Sequence, residues 1–263
     1  MGSALVTGAS SGLGLEIAWN LAAEGNNLVL VARSEQKLQE VARRMRDLAQ
    51  VQVEVMAADL SKAADVERVA QRLRSTSRPI GLLVNNAGFG LGAEFLDSTV
   101  EREDQAIDVM IRAVMVLSHT AARVMRSRGR GGILNVSSIA ALTAQGTYSA
   151  AKAWLRTFTE GLAAELKGTG VHVTAVTPGL IRTNFHAAAG VDSSQWPRWY
   201  FATPQKVADV ALNAVRRGTV IVTPTPMWAI AAGALRMAPR WIVRKVAGPT
   251  RSGISAQTVG LPQ

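Results

Sequence analysis

The 263 residues are long for one α/β domain and short for two domains with separate cores. With 48% hydrophobic and 18% charged residues, the chain can fill a sizeable core, which excludes general disorder. Cysteine is absent, which excludes a disulfide scaffold, a thiolate metal site and a cysteine nucleophile; the three histidines (His119, His172, His186) form no His-x-x-x-His pair and argue against a zinc enzyme.

The net charge of +10 is unevenly spread. Residues 1–197 carry 20 Lys and Arg against 18 Asp and Glu, whereas 198–263 carry nine basic residues and one acid, Asp209. A nearly neutral body with a basic tail is a poor footprint for nucleic-acid binding, and no such partner is expected. The first apolar run begins at Ala4, which leaves no room for a signal peptide. The uncharged run over 218–235 is broken by Pro224 and Pro226, and the unbroken remainder is too short to span a bilayer. A soluble, cytoplasmic protein is expected.

In chain order, the first strand, Ala4–Thr7, enters the turn Thr7-Gly8-Ala9-Ser10-Ser11-Gly12-Leu13-Gly14 and a helix over 12–24. Glycines there permit positive φ and let backbone approach a pyrophosphate at the helix N-terminus. The spacing is Gly-x3-Gly-x-Gly, not the usual Gly-x-Gly-x2-Gly, and such a turn also serves as a plain strand–helix connection. The second strand, Leu28–Ala32, ends at Arg33-Ser34 before a helix over 35–49; the third, Val51–Met56, precedes Asp59-Leu60 and a helix over 63–74. The fourth, Leu82–Asn85, runs into Asn85-Asn86-Ala87-Gly88 and a long helical pattern over 99–127. The fifth, Gly132–Val136, is followed by Ser137-Ser138 and a helix over 148–167 that opens with Tyr148-Ser149-Ala150-Ala151-Lys152. The sixth, Val171–Val176, leads to Pro178-Gly179-Leu180-Ile181-Arg182-Thr183; a helix over 204–217 and a strand over Val220–Thr223 close the pattern. Strands apolar on both faces, alternating with helices, predict a doubly wound parallel sheet.

All these motifs fall at carboxyl ends of strands or the helix starts beyond them, where open α/β sheets bind ligands. Together they resemble the short-chain dehydrogenase/reductase family, over residues 3 to about 223. The resemblance implies a Rossmann-type domain over 1–225, with 226–263 as a basic C-terminal extension. It implies an oxidoreductase interconverting a carbonyl and a secondary alcohol, with Ser138, Tyr148 and Lys152 as catalytic residues. The cofactor residues it implies are Gly8, Ser10, Ser11, Gly12, Leu13, Gly14, Arg33, Asp59, Leu60, Asn85, Asn86, Ala87, Gly88, Tyr148, Lys152, Pro178, Gly179, Ile181 and Thr183. No metal is expected. A homodimer or homotetramer packed through 99–127 and 148–167 is implied in the same way.

The Tyr-x3-Lys pair has its own logic: positions i and i+4 share one helix face. A free tyrosine titrates near ~10, and a neighbouring ammonium and an oxidised nicotinamide favour the phenolate. Tyr148 then acts as general acid or base, while Ser138 hydrogen-bonds the substrate oxygen as charge develops. At Arg33 an acid that would grip the ribose hydroxyls is missing, and the guanidinium suits a 2′-phosphate, so NADP(H) is the expected cofactor; the alternative is a solvated loop residue. Asp59 fits either an adenine contact or the cap of the next helix.

Two positions depart from the family pattern. Ile107-Asp108-Val109 is followed by Met110 where the family carries an Asn that helps hold a proton-relay water, and Met also suits a core gap. Ser138 and Tyr148 are ten positions apart, fewer than the family norm, which predicts a more open pocket beside them. Both motivate an alternative, a cofactor-binding scaffold or redox sensor with little turnover. Residues 185–201 hold Phe185, Trp196, Trp199, Tyr200 and Phe201, in the segment that forms the family's substrate lid; the density fits an apolar substrate or rings packed on the domain or a partner subunit. Within 227–247, Arg236, Arg240 and Arg244 recur every four residues among Trp228, Ile230, Leu235, Trp241, Ile242 and Val246, with Pro239 dividing two short helices. That pattern fits peripheral membrane contact, or a cover for the pocket or a neighbouring subunit.

Overall fold

The computed structural model describes residues 2–183 and 196–248. Seven parallel strands form one sheet in the order β3-β2-β1-β4-β5-β6-β7: β1 Ser3–Thr7, β2 Asn27–Ala32, β3 Val53–Ala57, β4 Leu82–Asn85, β5 Gly131–Val136, β6 Val171–Val176 and β7 Ile221–Val222. The chain winds outward from β1 to β3, then returns to pair β4 with β1 at Ala4↔Leu82, Leu5↔Leu83 and Val6↔Val84. That reversal opens a crevice at the carboxyl ends of β1 and β4.

The strands are apolar on both sides because both sides are covered. Ala4, Val6, Leu28, Leu30, Val84 and Leu134 pack under α1 (Gly12–Ala23), α2 (Glu35–Ala49) and α7 (Pro204–Arg216). Leu5, Val29, Val31, Leu83, Ile133 and Val173 pack under α3 (Ala63–Arg74), α5 (Ala113–Ser127) and α6 (Gly146–Glu165). Capping follows the sequence: the Ser34 and Thr203 hydroxyls accept from Lys37 N and Lys206 N at the starts of α2 and α7, and Pro204 occupies the first turn of α7.

The helix expected over 99–127 is not continuous. It comprises α4 (Val100–Ile107), a π-helical turn over Asp108–Arg112, and α5. Ala113 N reaches back five residues to Asp108 O, so one extra residue is accommodated within the turn, and Met110 is buried there at 1% exposure. Beyond β7, α8 (Pro226–Met237) and α9 (Arg240–Ala247) break at Ala238–Pro239, as the proline predicts. Phe185 and residues 249–263 lie outside the described residues. Among the described residues, no helix is long and apolar enough to cross a membrane.

Candidate active site

The floor of the crevice is built around one hydroxyl. Thr7 Oγ1 donates to Val84 O at 3.2 Å and accepts from Asn86 N at 3.0 Å and Ala87 N at 3.1 Å. The Asn86 amide returns the bond, Nδ2 donating to Thr7 O at 3.0 Å and Gly8 O at 3.3 Å. Thr7 was not singled out from the sequence, although a threonine ending an apolar strand is its signal. Gly8 and Gly12 turn the chain with φ of 66° and 58°. Gly14 is required by proximity: a Cβ there would lie 2.3 Å from Asn86 Nδ2 and 2.4 Å from Gly8 O.

Ser10 and Ser11 complete the turn. The Ser11 side chain makes no capping hydrogen bond, and α1 has no acid in its first turn. The first N–H groups of the helix thus point into the crevice without a side-chain acceptor, the arrangement that receives an anion. Leu13 is buried under the turn. Across the gap, Thr183 faces Gly12, with its Cβ 3.8 Å from where a Gly12 Cβ would stand.

Arg33 follows β2 and is exposed. Its charge reaches Asp59: burial pushes that carboxyl up, but bonds from Ser61 N at 3.1 Å and Ser61 Oγ at 2.8 Å, with Arg33 and Lys62 nearby, hold it below its ordinary value. Asp59 therefore shapes the turn ahead of α3, whose N-cap is Lys62. Leu60 packs into the core.

Asn85, grouped with Asn86 in the sequence, turns the other way. It is 3% exposed, and its Nδ2 donates to Ser118 Oγ and Asn135 Oδ1, both at 2.9 Å, with Asn135 continuing to Thr159. Its side chain belongs to a buried polar chain beneath the sheet, not to the crevice that Asn86 enters.

On the β5 side, Ser137 Oγ donates to Lys152 O at 2.8 Å and ties α6 to the strand end. Ser149 accepts from Gln145 N at 3.1 Å and fixes the first turn of α6. Tyr148 and Lys152 then share one helix face, with Lys152 Nζ 5.6 Å from the Tyr148 ring centroid. Tyr148 hydrogen-bonds Ser138, and Lys152 Nζ donates to Val136 O at 2.8 Å. Lys152 is 5% exposed. A Cβ on Gly88 would meet Lys152 Nζ at 3.6 Å and Met110 Sδ at 3.5 Å, so all three converge.

The expected lowering of the Tyr148 pKa is not what the protein by itself imposes. Burial pushes it from 10.0 up to about 12, and the bond with Ser138 draws it only partly back. Burial likewise brings Lys152 from 10.5 down to about 8. The ammonium is buried with its hydrogen bond on the Val136 carbonyl, and burial and Ser138, not Lys152, set the Tyr148 value.

The wall beyond Ser138 also differs from expectation. Where the short Ser138–Tyr148 connection predicted an opening, α8 packs on the 3₁₀ turn Ile139–Leu142. Arg240 Nη1 and Nη2 donate to Leu142 O at 3.2 Å and Thr143 O at 3.4 Å, and Ala144 N donates to Ala247 O at 3.1 Å. Pro178 O accepts from Ile139 N at 2.9 Å, and Ile181 bridges Ala202. Gly179 lies against the Trp228 indole, where a Cβ would come within 2.2 Å of Cε2; Trp228 Nε1 donates to Tyr200 O at 3.0 Å. A cover for the pocket is one of the roles expected of 227–247, and Trp228 and Arg240 take part in this wall; the partners they find, fifty to a hundred residues away, have no local signal in the sequence.

Residues 3–193 match the sequence pattern described as short chain dehydrogenase. The chain belongs to the short-chain dehydrogenase family of oxidoreductases. An uncharacterized oxidoreductase of Staphylococcus saprophyticus is 34% identical over 217 residues, covering 81% of this chain and 91% of the relative. A short-chain dehydrogenase from Sphingobium yanoikuyae, solved in complex with NADPH, superposes with a TM-score of 0.82 at 33% identity, covering 90% of this chain and 94% of that one. The bulky-bulky ketone specific alcohol dehydrogenase from Comamonas testosteroni superposes with a TM-score of 0.78 at 30% identity, covering 90% and 92%.

Proposed function

We propose that this short-chain dehydrogenase reduces a bulky, apolar carbonyl compound, or oxidises the matching secondary alcohol, with NADP(H). The observation that carries the reading is the hydrogen-bonded pair Ser138–Tyr148 with Lys152 one turn further along α6, beside the crevice that Gly8, Gly14 and Asn86 build. The uncapped start of α1 suits a pyrophosphate, and exposed Arg33 suits a 2′-phosphate. A nicotinamide bound in the crevice supplies or accepts the hydride.

Within the chain, Ser138 orients the substrate oxygen and steadies the charge that gathers on it. Tyr148 hands its phenolic proton to that oxygen in reduction and takes it back in oxidation. Lys152 stabilises the resulting phenolate from the same helix face. The Met110 thioether offers no hydrogen-bond donor to a relay water, so the proton donor nearest to Tyr148 on its own helix face is the Lys152 ammonium, while backbone carbonyls can only accept hydrogen bonds from water. A bulky substrate is supported by the likeness to a bulky-ketone enzyme and by the aromatic residues Trp199, Tyr200 and Trp228 beside the Pro178–Thr183 loop. A homodimer or homotetramer through α4–α5 and α6 belongs to the same reading, with Ile107 and Met115 exposed on the first two and a stacked Trp154–Phe158 pair on the third.

The test is a screen of ketones, aldehydes and alcohols of graded bulk, followed by change in NADPH and NADH absorbance. NADPH should be preferred, and Arg33→Ala should weaken NADPH by roughly 1.5–3 kcal/mol while leaving NADH little changed. Equal losses for both cofactors would remove Arg33 from phosphate recognition. Tight NADPH binding with no turnover of any carbonyl would assign the fold to sensing or scaffolding instead.

A further inference from the structure

We propose that the outward face of α8 and α9 is a docking surface for an anionic lipid bilayer. Twelve residues of α8 include one charge, Arg236. Its inner side is occupied: Trp228 lies on Gly179, and Ala232 is buried one turn along. Its outer side carries Ile230, Gly233, Ala234 and Met237, with Ile230 75% and Met237 86% exposed. A helix that is apolar on all sides belongs inside something, and half of this one is uncovered.

The next helix supplies what such a face needs at a membrane. Val243 holds α9 to the protein at 1% exposure, while Trp241 and Val246 stand outward beside Arg244 and Lys245. Tryptophan with basic neighbours on a short amphipathic helix is the composition that settles at the headgroup level. Trp199 is exposed as well, and its ring contacts Tyr200 at 4.3 Å, which in turn meets Trp228 at 5.9 Å.

Charge decides between a lipid surface and a second copy of the chain. No acid occurs from residue 210 onward, and none of the ion pairs among the described residues involves α8 or α9. A two-fold contact of this face with itself would press Arg236, Arg244 and Lys245 onto a surface that offers no acid in return. Anionic headgroups instead neutralise them. Arg240 is differently employed, holding the 142–143 carbonyls.

The full chain should co-sediment with phosphatidylcholine vesicles containing phosphatidylglycerol, far less with phosphatidylcholine alone, and release as salt rises. Replacing Arg244→Gln together with Lys245→Gln should cut partitioning about 30-fold, at about 1 kcal/mol per basic residue and tenfold per 1.4 kcal/mol. Ile230→Ser with Met237→Ser should reduce binding too, with thermal unfolding unchanged because both side chains are exposed. Three results would overturn the proposal: absence of vesicle binding, equal binding by the parent and the Arg244/Lys245 variant, or self-association that the Ile230/Met237 variant abolishes without any vesicle binding.

Discussion

At the carboxyl ends of β1 and β4 the cleft floor is stitched by Thr7 and Asn86, whose hydrogen bonds end on backbone or on each other's backbone-bound groups. Past the end of β5 the wall is propped by side chains, with Arg240 reaching the Leu142 carbonyl from 98 positions away. The floor is part of the sheet, so any change there works against backbone held in place by strand pairing. The wall is an assembly of movable parts, and changes there can be absorbed or compensated. The chemistry proposed for Tyr148 and Lys152 sits between them on α6, which Ser137 and Lys152 tie to the end of β5.

The largest expected effect falls on that middle element. Tyr148→Phe keeps the ring but removes the proton, so turnover should drop at least ~10²-fold with NADPH affinity unchanged. A variant as fast as its parent would end the acid–base role. Next comes the floor. Gly14→Ala brings its methyl against Gly8 O and the Asn86 amide, and should cost about 1–3 kcal/mol of stability, read by denaturant titration, together with loss of NADPH binding. Gly179→Ala introduces a clash just as close on the wall, but against the Trp228 ring. It should cost less, and Trp228→Leu should restore part of the loss. If the two glycine variants were equally damaging and Trp228→Leu gave no rescue, the contrast between rigid floor and movable wall would fail.

How much of this could be read beforehand depends on the range of the signal. The seven strands were legible because most are apolar on both faces and end in turn-forming or polar residues; β3 with Glu54 and β6 with His172 are the exceptions. The Tyr148–Lys152 pairing was legible from helix periodicity alone. The π-helical turn was not, since an apolar pattern tolerates one inserted residue and keeps its stripe. Asn85 and Asn86 look alike in sequence, yet strand alternation sends the first into the core with Leu83 and leaves the second in the crevice. The docking of α9 on residues 142–144 carries no local signal at all.

A further effect concerns pH. Lys152 releases its proton near pH 8 when folded and near 10.5 when free, so between these values the unfolded chain holds more protons and stability rises with pH. The contribution is fully present above 10.5 and lost as pH falls to about 8. Tyr148 works oppositely: it keeps its proton to about 12 when folded, so above pH 10 its contribution declines. Lys152→Met should flatten the rise between pH 8 and 10 in denaturant melts. An unchanged slope would mean that the ammonium is better solvated than its 5% exposure implies.

The bond from Ala144 N to Ala247 O joins the catalytic wall to the last turn of α9, an eight-residue helix. A helix that short has little stability of its own and holds its place through Val243 and Arg240. Its detachment breaks no strand pairing, whereas Ala87 N is held by the Thr7 hydroxyl just past the paired ends of β1 and β4. In hydrogen-exchange terms the cleft therefore has two clocks: the Ala144 amide exchanges by local opening of α9, and the Ala87 amide, tied to the end of β1, exchanges more slowly.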